Sequence, residues 1–368
     1  MKLPKSNILQ NTLYQLIFIY FILILFVSLG YMSKYSYHFE YFALIIGFFS
    51  IFVTFRAKSK LNLPKWLILV PIILLLGTRL IPYADNDIPL GYDPGMYKSL
   101  FEHNHASLQD GKLEETNWGK SMHPLGVSFI INLLMSLGFS SNSLVQFGII
   151  FFDMLIILGL YLVGREFFNK EVAIISTFFY SFSTVAFETF YLNYYKNIIG
   201  IFLILVSIYL FRKRKFFSGI LTGGFLGGLH RPSFVVFGGS YLFNWFAKRG
   251  WKLFLSGILI ILVTLTFYLD RIYKMITPII KATGESLVQN TGSGTFISLD
   301  QFVFGSLLFI GLFWIGFISY IKEKRFNYLF FWATLTGIVV LFELFFYNRM
   351  IIFLNTIIII FSSYGFYL

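Results

Sequence analysis

Leu125-Gly126-Val127-Ser128-Phe129-Ile130-Ile131-Asn132-Leu133-Leu134-Met135-Ser136-Leu137-Gly138 is apolar, yet it falls short of the roughly 20 residues that a helix needs to cross a bilayer. Its reading decides the topology of all that follows. Twelve other apolar segments predict crossings: 13–32, 40–55, 66–83, 143–163, 172–190, 196–211, 216–230, 232–246, 252–269, 301–320, 327–346 and 350–367. With the N-terminus cytoplasmic and 125–138 not crossing, most of the 29 Lys and Arg residues fall in cytoplasmic loops. If 125–138 crossed, three clusters would move outside: Arg212-Lys213-Arg214-Lys215, then Lys248, Arg249 and Lys252, then Lys322, Lys324 and Arg325. The positive-inside rule therefore predicts a re-entrant or interfacial helix on the outer face, packed on protein.

Composition agrees with a membrane chain. Of 368 residues, 57% are hydrophobic and 12% charged, against about 25% charged in a soluble domain. A soluble enzyme, a nucleic-acid-binding domain and a disordered chain are excluded. The net charge of +12 sits mostly in short loops, where topology accounts for it better than a nucleic-acid partner. Cysteine is absent, which removes disulfides and thiolate metal sites. Lys2 and Lys5 precede the segment 13–32, but more spans follow it, so it reads as a retained helix rather than a cleaved signal. The expected fold is one all-α polytopic domain over 1–368 with about 12 transmembrane helices. A large outer loop at 84–142 carries the interfacial helix, and a second, mobile outer loop at 270–300 contains Asn290-Thr291-Gly292-Ser293-Gly294. The pair of segments around His230 reads as a place for half-helices.

The outer segment 85–142 holds seven of the 17 acids and three of the five histidines. Within it, Gly91-Tyr92-Asp93-Pro94-Gly95-Met96-Tyr97 is a turn that presents a carboxylate at the membrane surface, where it could serve as a general base. Asp85-Asn86-Asp87 could offer two oxygens to a divalent ion, but the pattern is weak and metal is the disfavoured reading. On the same face, Tyr194-Tyr195-Lys196-Asn197 places an amine at headgroup level. A lysine that merely anchors a helix end is the plainer alternative. Glu188 lies in an apolar helix and needs a partner or a proton; Asp153 and Glu343 are further intramembrane acids, open to either a functional or a structural role. Gly223-Gly224 and Gly227-Gly228 permit close helix packing and lead into His230-Arg231-Pro232. Arg349 opens the last segment. Four cations on different helices, Arg79, Lys196, Arg231 and Arg349, thus face one acidic loop, on the side that normally disfavours them. That suggests an anion, and guanidinium groups suit phosphate.

These motifs together resemble the GT-C membrane glycosyltransferases, which use polyprenyl-phosphate-linked sugars. Gly91, Asp93, Gly95 and Tyr97 stand in the early outer loop; His123-Pro124-Leu125 opens an interfacial helix; Leu162-Val163-Gly164-Arg165-Glu166-Phe167-Phe168 is similar to a recurring cytoplasmic turn. Leu229-His230-Arg231-Pro232 sits where protein O-mannosyltransferases and aminoarabinose transferases often have Leu-Thr-Lys-Gly/Pro, and Asn348-Arg349-Met350 resembles the Arg-Tyr near their final helices. Two departures stand out. Tyr195-Lys196-Asn197 replaces the acidic metal motif of oligosaccharyltransferase catalytic subunits, and no Trp-Trp-Asp-like acceptor motif occurs.

The resemblance implies sugar transfer from a polyprenyl-phosphate donor to an acceptor (protein, lipid or glycan) on the outer face of the cell membrane. Asp93 would be the base; Lys196, Arg231, His230, Arg349, Arg79, Tyr97 and Tyr195 would bind the donor and its phosphate. The partners are that donor and membrane lipids, with no nucleic acid. A transporter or flippase for a lipid-linked sugar is the alternative, although it usually shows repeated halves with midplane binding; a non-catalytic scaffold is the third reading.

Overall fold

A computed structural model describes residues 62–83, 93–109, 125–268, 297–344 and 347–368. The expected spans 13–32 and 40–55, the acids Asp85 and Asp87, His123 and the run 290–294 lie outside these residues. Among the described residues the chain is helical throughout, with no strand. Its helices are α1 (Leu69–Leu80, within a helical run Lys65–Tyr83), α2 (Asp93–Gln109), α3 (Leu125–Ser136) and α4 (Ser141–Phe167). Then come α5 (Lys170–Phe182), α6 (Thr184–Tyr191), α7 (Tyr195–Arg212), α8 (Phe216–Leu229) and α9 (Arg231–Lys248). The last are α10 (Trp251–Thr266), α11 (Leu299–Lys322), α12 (Tyr328–Leu341) and α13 (Tyr347–Tyr367).

Local chemistry sets many of these boundaries. Asn169, Ser183, Ser298 and Asn327 cap α5, α6, α11 and α12 by accepting hydrogen bonds from backbone N–H groups of the first turn. Ser183 has a further consequence. The segment 172–190, expected as one span, is bent by 55° where Ser183 ends α5 and caps α6. Helix α3 has 12 residues, about 18 Å of rise, which is too short for a hydrocarbon core of about 30 Å. Among the described residues four helical runs are long and apolar enough to cross a membrane, Lys65–Tyr83, α4, α7 and α13, or up to six if the bent α5–α6 pair and the bent α11 each count as one span.

The chain runs up and down between two ends. At one end Arg212 and Lys213 approach Glu166 (3.8 and 2.5 Å), Arg325 donates to the Phe167 carbonyl (3.2 Å), and Lys248 stands 5.9 Å from the Tyr328 ring. The clusters that topology assigned to cytoplasmic loops therefore gather at a common end. Helices α7, α9 and α13 start at the opposite end. Helix α13 forms the heart of the bundle, with nearly every residue from Met350 to Phe366 buried. It meets α11 backbone to backbone: a Cβ on Gly316 would come within 2.1 Å of the Phe361 carbonyl oxygen, and one on Gly365 within 2.1 Å of the Leu312 oxygen. Gly224, Gly227 and Gly228 of α8 make room instead for the side chains of Val263, Thr264 and Phe267 at the α10 end.

Candidate functional site

The site is built where α8 gives way to α9. Helix α8 ends at Leu229, His230 adopts an extended conformation (φ −151°, ψ 114°), and α9 starts at Arg231 with Pro232 in its first turn. His230 is buried. Its Nδ1 lies 2.7 Å from Ser233 Oγ, and its ring faces that of Phe353 with centroids 6.5 Å apart. Gly200 of α7 makes room for this pair, because a Cβ there would sit 2.1 Å from Ser233 Oγ. The start of α3 closes the other side, with Gly126 packed against the Gly228 carbonyl at a distance no Cβ could share (2.6 Å).

Helical spacing then places the cations. Lys196 precedes Gly200 by four residues and Arg349 precedes Phe353 by four, so each lies one turn further out on the face that meets His230. Arg231 follows His230 directly. All three are half-buried, and each stands within the first three residues of its helix. That is the end of a helix where the macrodipole disfavours a cation and favours an anion. Helices α7 and α9 also lack a side-chain cap. Arg231 Nε is buried without a hydrogen-bond partner among the described residues, and its guanidinium carbon lies 5.7 Å from the ring of Tyr268, whose hydroxyl donates to the Gly227 carbonyl (3.0 Å).

Helix α2 completes the wall. Tyr97 is buried against Tyr195 (centroids 5.6 Å apart), and Lys196 Nζ lies 6.0 Å from the Tyr97 ring. Phe101 and Phe152 enclose Tyr195 from two further sides at 5.4 and 5.6 Å. Asp93 opens α2 one turn before Tyr97 on the same helix face. Asp93 thus starts the helix whose Tyr97, one turn on, meets Lys196.

These elements have known counterparts. The sequence model of the family described as dolichyl-phosphate-mannose-protein mannosyltransferase matches residues 122–269, from the opening of α3 to the end of α10. The Archaeoglobus fulgidus oligosaccharyltransferase in its apo form superposes with a TM-score of 0.54 at 14% identity, over 81% of this chain and 49% of that one. The chain carries the GT-C fold.

The archaeal oligosaccharyltransferase AglB from Archaeoglobus fulgidus, in complex with an inhibitory peptide and a dolichol-phosphate, gives the same TM-score, identity and coverage. The GT-C bundle described here spans about half the length of these relatives. No curated protein sequence matches it.

One cation has another employment in this GT-C bundle. Arg79, expected at the phosphate, is fully buried. Its Nε donates to Asp153 Oδ2 (2.8 Å), Tyr180 donates its hydroxyl proton to Asp153 Oδ1, and the guanidinium lies 5.2 and 5.3 Å from the rings of Phe187 and Phe190. A buried guanidinium needs a buried counter-charge, and Asp153 supplies it. This resolves the open role of Asp153, and Arg79 does not join the rim around His230. Glu343 lies exposed in the turn after α12, away from any buried pair. Among the described residues no group of three His, Asp or Glu side chains could hold a metal ion, and a rim of Lys196, Arg231 and Arg349 does not fit a divalent cation.

Asn193 was not anticipated from sequence. It holds a left-handed backbone (φ 57°) in the turn before Lys196 and is buried. Asparagine tolerates that conformation better than most residues, which was the available signal.

Proposed function

We propose that this GT-C protein transfers a sugar from a polyprenyl-phosphate donor to an acceptor hydroxyl at the outer membrane face. One observation carries the reading: three half-buried cations, Lys196, Arg231 and Arg349, stand in the first turns of three helices that converge on His230. Cation and helix N-terminus repel one another, and an anion between them satisfies both. A lipid phosphate supplies that anion. The peptide and dolichol-phosphate bound by the structurally similar AglB support a lipid-linked donor.

The proposed chemistry draws its base from Asp93 at the start of α2. The acceptor oxygen attacks the anomeric carbon and forms the new C–O bond, while its proton passes to the Asp93 carboxylate. The bond from the anomeric carbon to the phosphate oxygen breaks, and its electron pair leaves with the lipid phosphate. Lys196, Arg231 and Arg349 stabilise the charge that develops there, as preorganised donors do in a site shielded from water. His230, held by Ser233, Tyr97 and Tyr195 line the donor side. The segment 84–142 contributes the base and the interfacial helix α3; most of the expected loop 270–300 lies outside the described residues.

Purified protein in proteoliposomes, given labelled polyprenyl-phosphate-sugar and a panel of acceptors, should release free polyprenyl phosphate in step with acceptor labelling. Movement of intact donor across the bilayer without release would assign the protein to lipid-linked sugar transport instead.

A further inference from the structure

The short connection between α6 and α7 is docked onto an irregular turn of α4. Residues Leu144–Gly148 of α4 form a π-helical turn, and the Val145 carbonyl within it accepts a hydrogen bond from Asn193 Nδ2 (3.4 Å). Two residues on, the Tyr195 hydroxyl lies over Gly148, where a Cβ would approach to 2.9 Å. Backbone bonds tighten the connection: Tyr194 N–H donates to Thr189 O (3.0 Å) and Tyr195 N–H to Asn193 O (2.7 Å). Asn193 pairs this with a left-handed φ of 57° at 1% exposure. A left-handed backbone and a buried amide fall three residues before Lys196, and the amide bonds to a π turn on the facing helix. Such features persist where the surrounding fold over-determines them, and they concentrate at functional positions.

We infer that Asn193 is a positioning residue: its side chain, anchored on the π turn of α4, fixes the start of α7 so that Lys196 is held over the donor phosphate. The inference rests on the phosphate-binding reading above. Without the anchor, the first turn of α7 can shift against α4 and Tyr97, and Lys196 loses its place while the bundle remains intact. Gly148 serves the same end by leaving space for Tyr195.

Glycine at 193 keeps the left-handed backbone and removes only the side chain. A double-mutant cycle therefore isolates the effect: wild type, Asn193→Gly, Lys196→Met and the double variant, each full-length in proteoliposomes, titrated with a short-chain polyprenyl phosphate. Asn193→Gly should weaken binding about tenfold in the wild-type background and leave it unchanged in the Lys196→Met background, since coupled residues depart from additivity to that extent. Asn193→Leu, which cannot hold the left-handed conformation, serves as the comparison for backbone damage and should also lower thermal stability. Equal losses from Asn193→Gly in both backgrounds, or no loss in either, would overturn the assignment. Failure of the wild type itself to bind polyprenyl phosphate would instead remove the phosphate-binding reading, and the positioning role with it.

Discussion

Lys196 Nζ stands 6.0 Å from the centre of the Tyr97 ring, and this contact joins the start of α7 to the first turns of α2. Two parts of the chain almost a hundred residues apart share one wall there. Asp93 stands one turn before Tyr97 at the start of that same helix. In the proposed reaction this lets the base and the anion site adjoin, the minimum for displacement at an anomeric carbon.

If Asp93 takes the acceptor proton, its amide isostere should be inert as a base but otherwise harmless. Asp93→Asn is expected to lower turnover by about 10²–10⁴-fold, the usual contribution of general-base help, with membrane insertion and donor binding retained. Single-turnover transfer in proteoliposomes measures this. Near-normal transfer would remove Asp93 from its role.

Arg231 makes a different prediction, because in the proposed reaction it holds the phosphate in both ground state and transition state. Arg231→Ala should chiefly raise the donor KM. Arg231→Lys should recover only part of the loss, since an ammonium lacks the planar pair of donors. Initial rates across donor concentrations separate the two parameters, and an unchanged KM with Ala would exclude Arg231 from the site.

Arg79 and Asp153 are expected to govern stability rather than binding. Arg79→Met leaves a buried carboxylate unpaired and should destabilise the protein by about 3–5 kcal/mol. Combining it with Asp153→Asn should restore most of that loss. Thermal unfolding in detergent reads both outcomes, and a strong effect on donor affinity without loss of stability would return Arg79 to the phosphate.

The α11–α13 contact predicts a contrast between glycines. Gly365→Ala drives a methyl group towards the Leu312 carbonyl and should cost about 1–3 kcal/mol or more, whereas Gly311 of α11 has open space and should accept Ala without loss. Comparable melting temperatures for the two variants would contradict the close approach.

Much of this arrangement was legible in the sequence because it rests on local signals. Apolar length marks the helices, the short stretch after Pro124 marks α3, and His230-Arg231-Pro232 marks a helix junction through the proline that suits a first turn. Lys196, Arg231 and Arg349 stand out in the sequence as cations at the starts of apolar segments, where the structure begins α7, α9 and α13. What escaped depends on pairing through space. The link from Arg79 to Asp153 joins residues 74 apart and leaves no trace in either segment. The break at Ser183 interrupts an apolar run without glycine or proline; the only cue was a Ser-Thr pair suited to capping. The π turn of α4 and the anchor of Asn193 upon it likewise follow from packing between helices rather than from periodicity.

The anion site can be tested without knowing the sugar or the acceptor. Binding of a polyprenyl phosphate to the reconstituted protein should be lost by at least about a hundredfold when Lys196, Arg231 and Arg349 are all changed to Met, because charge-assisted contacts contribute about 1.5–3 kcal/mol each. Equal binding by the wild type and the triple variant would show that the three helix N-termini around His230 do not hold the phosphate.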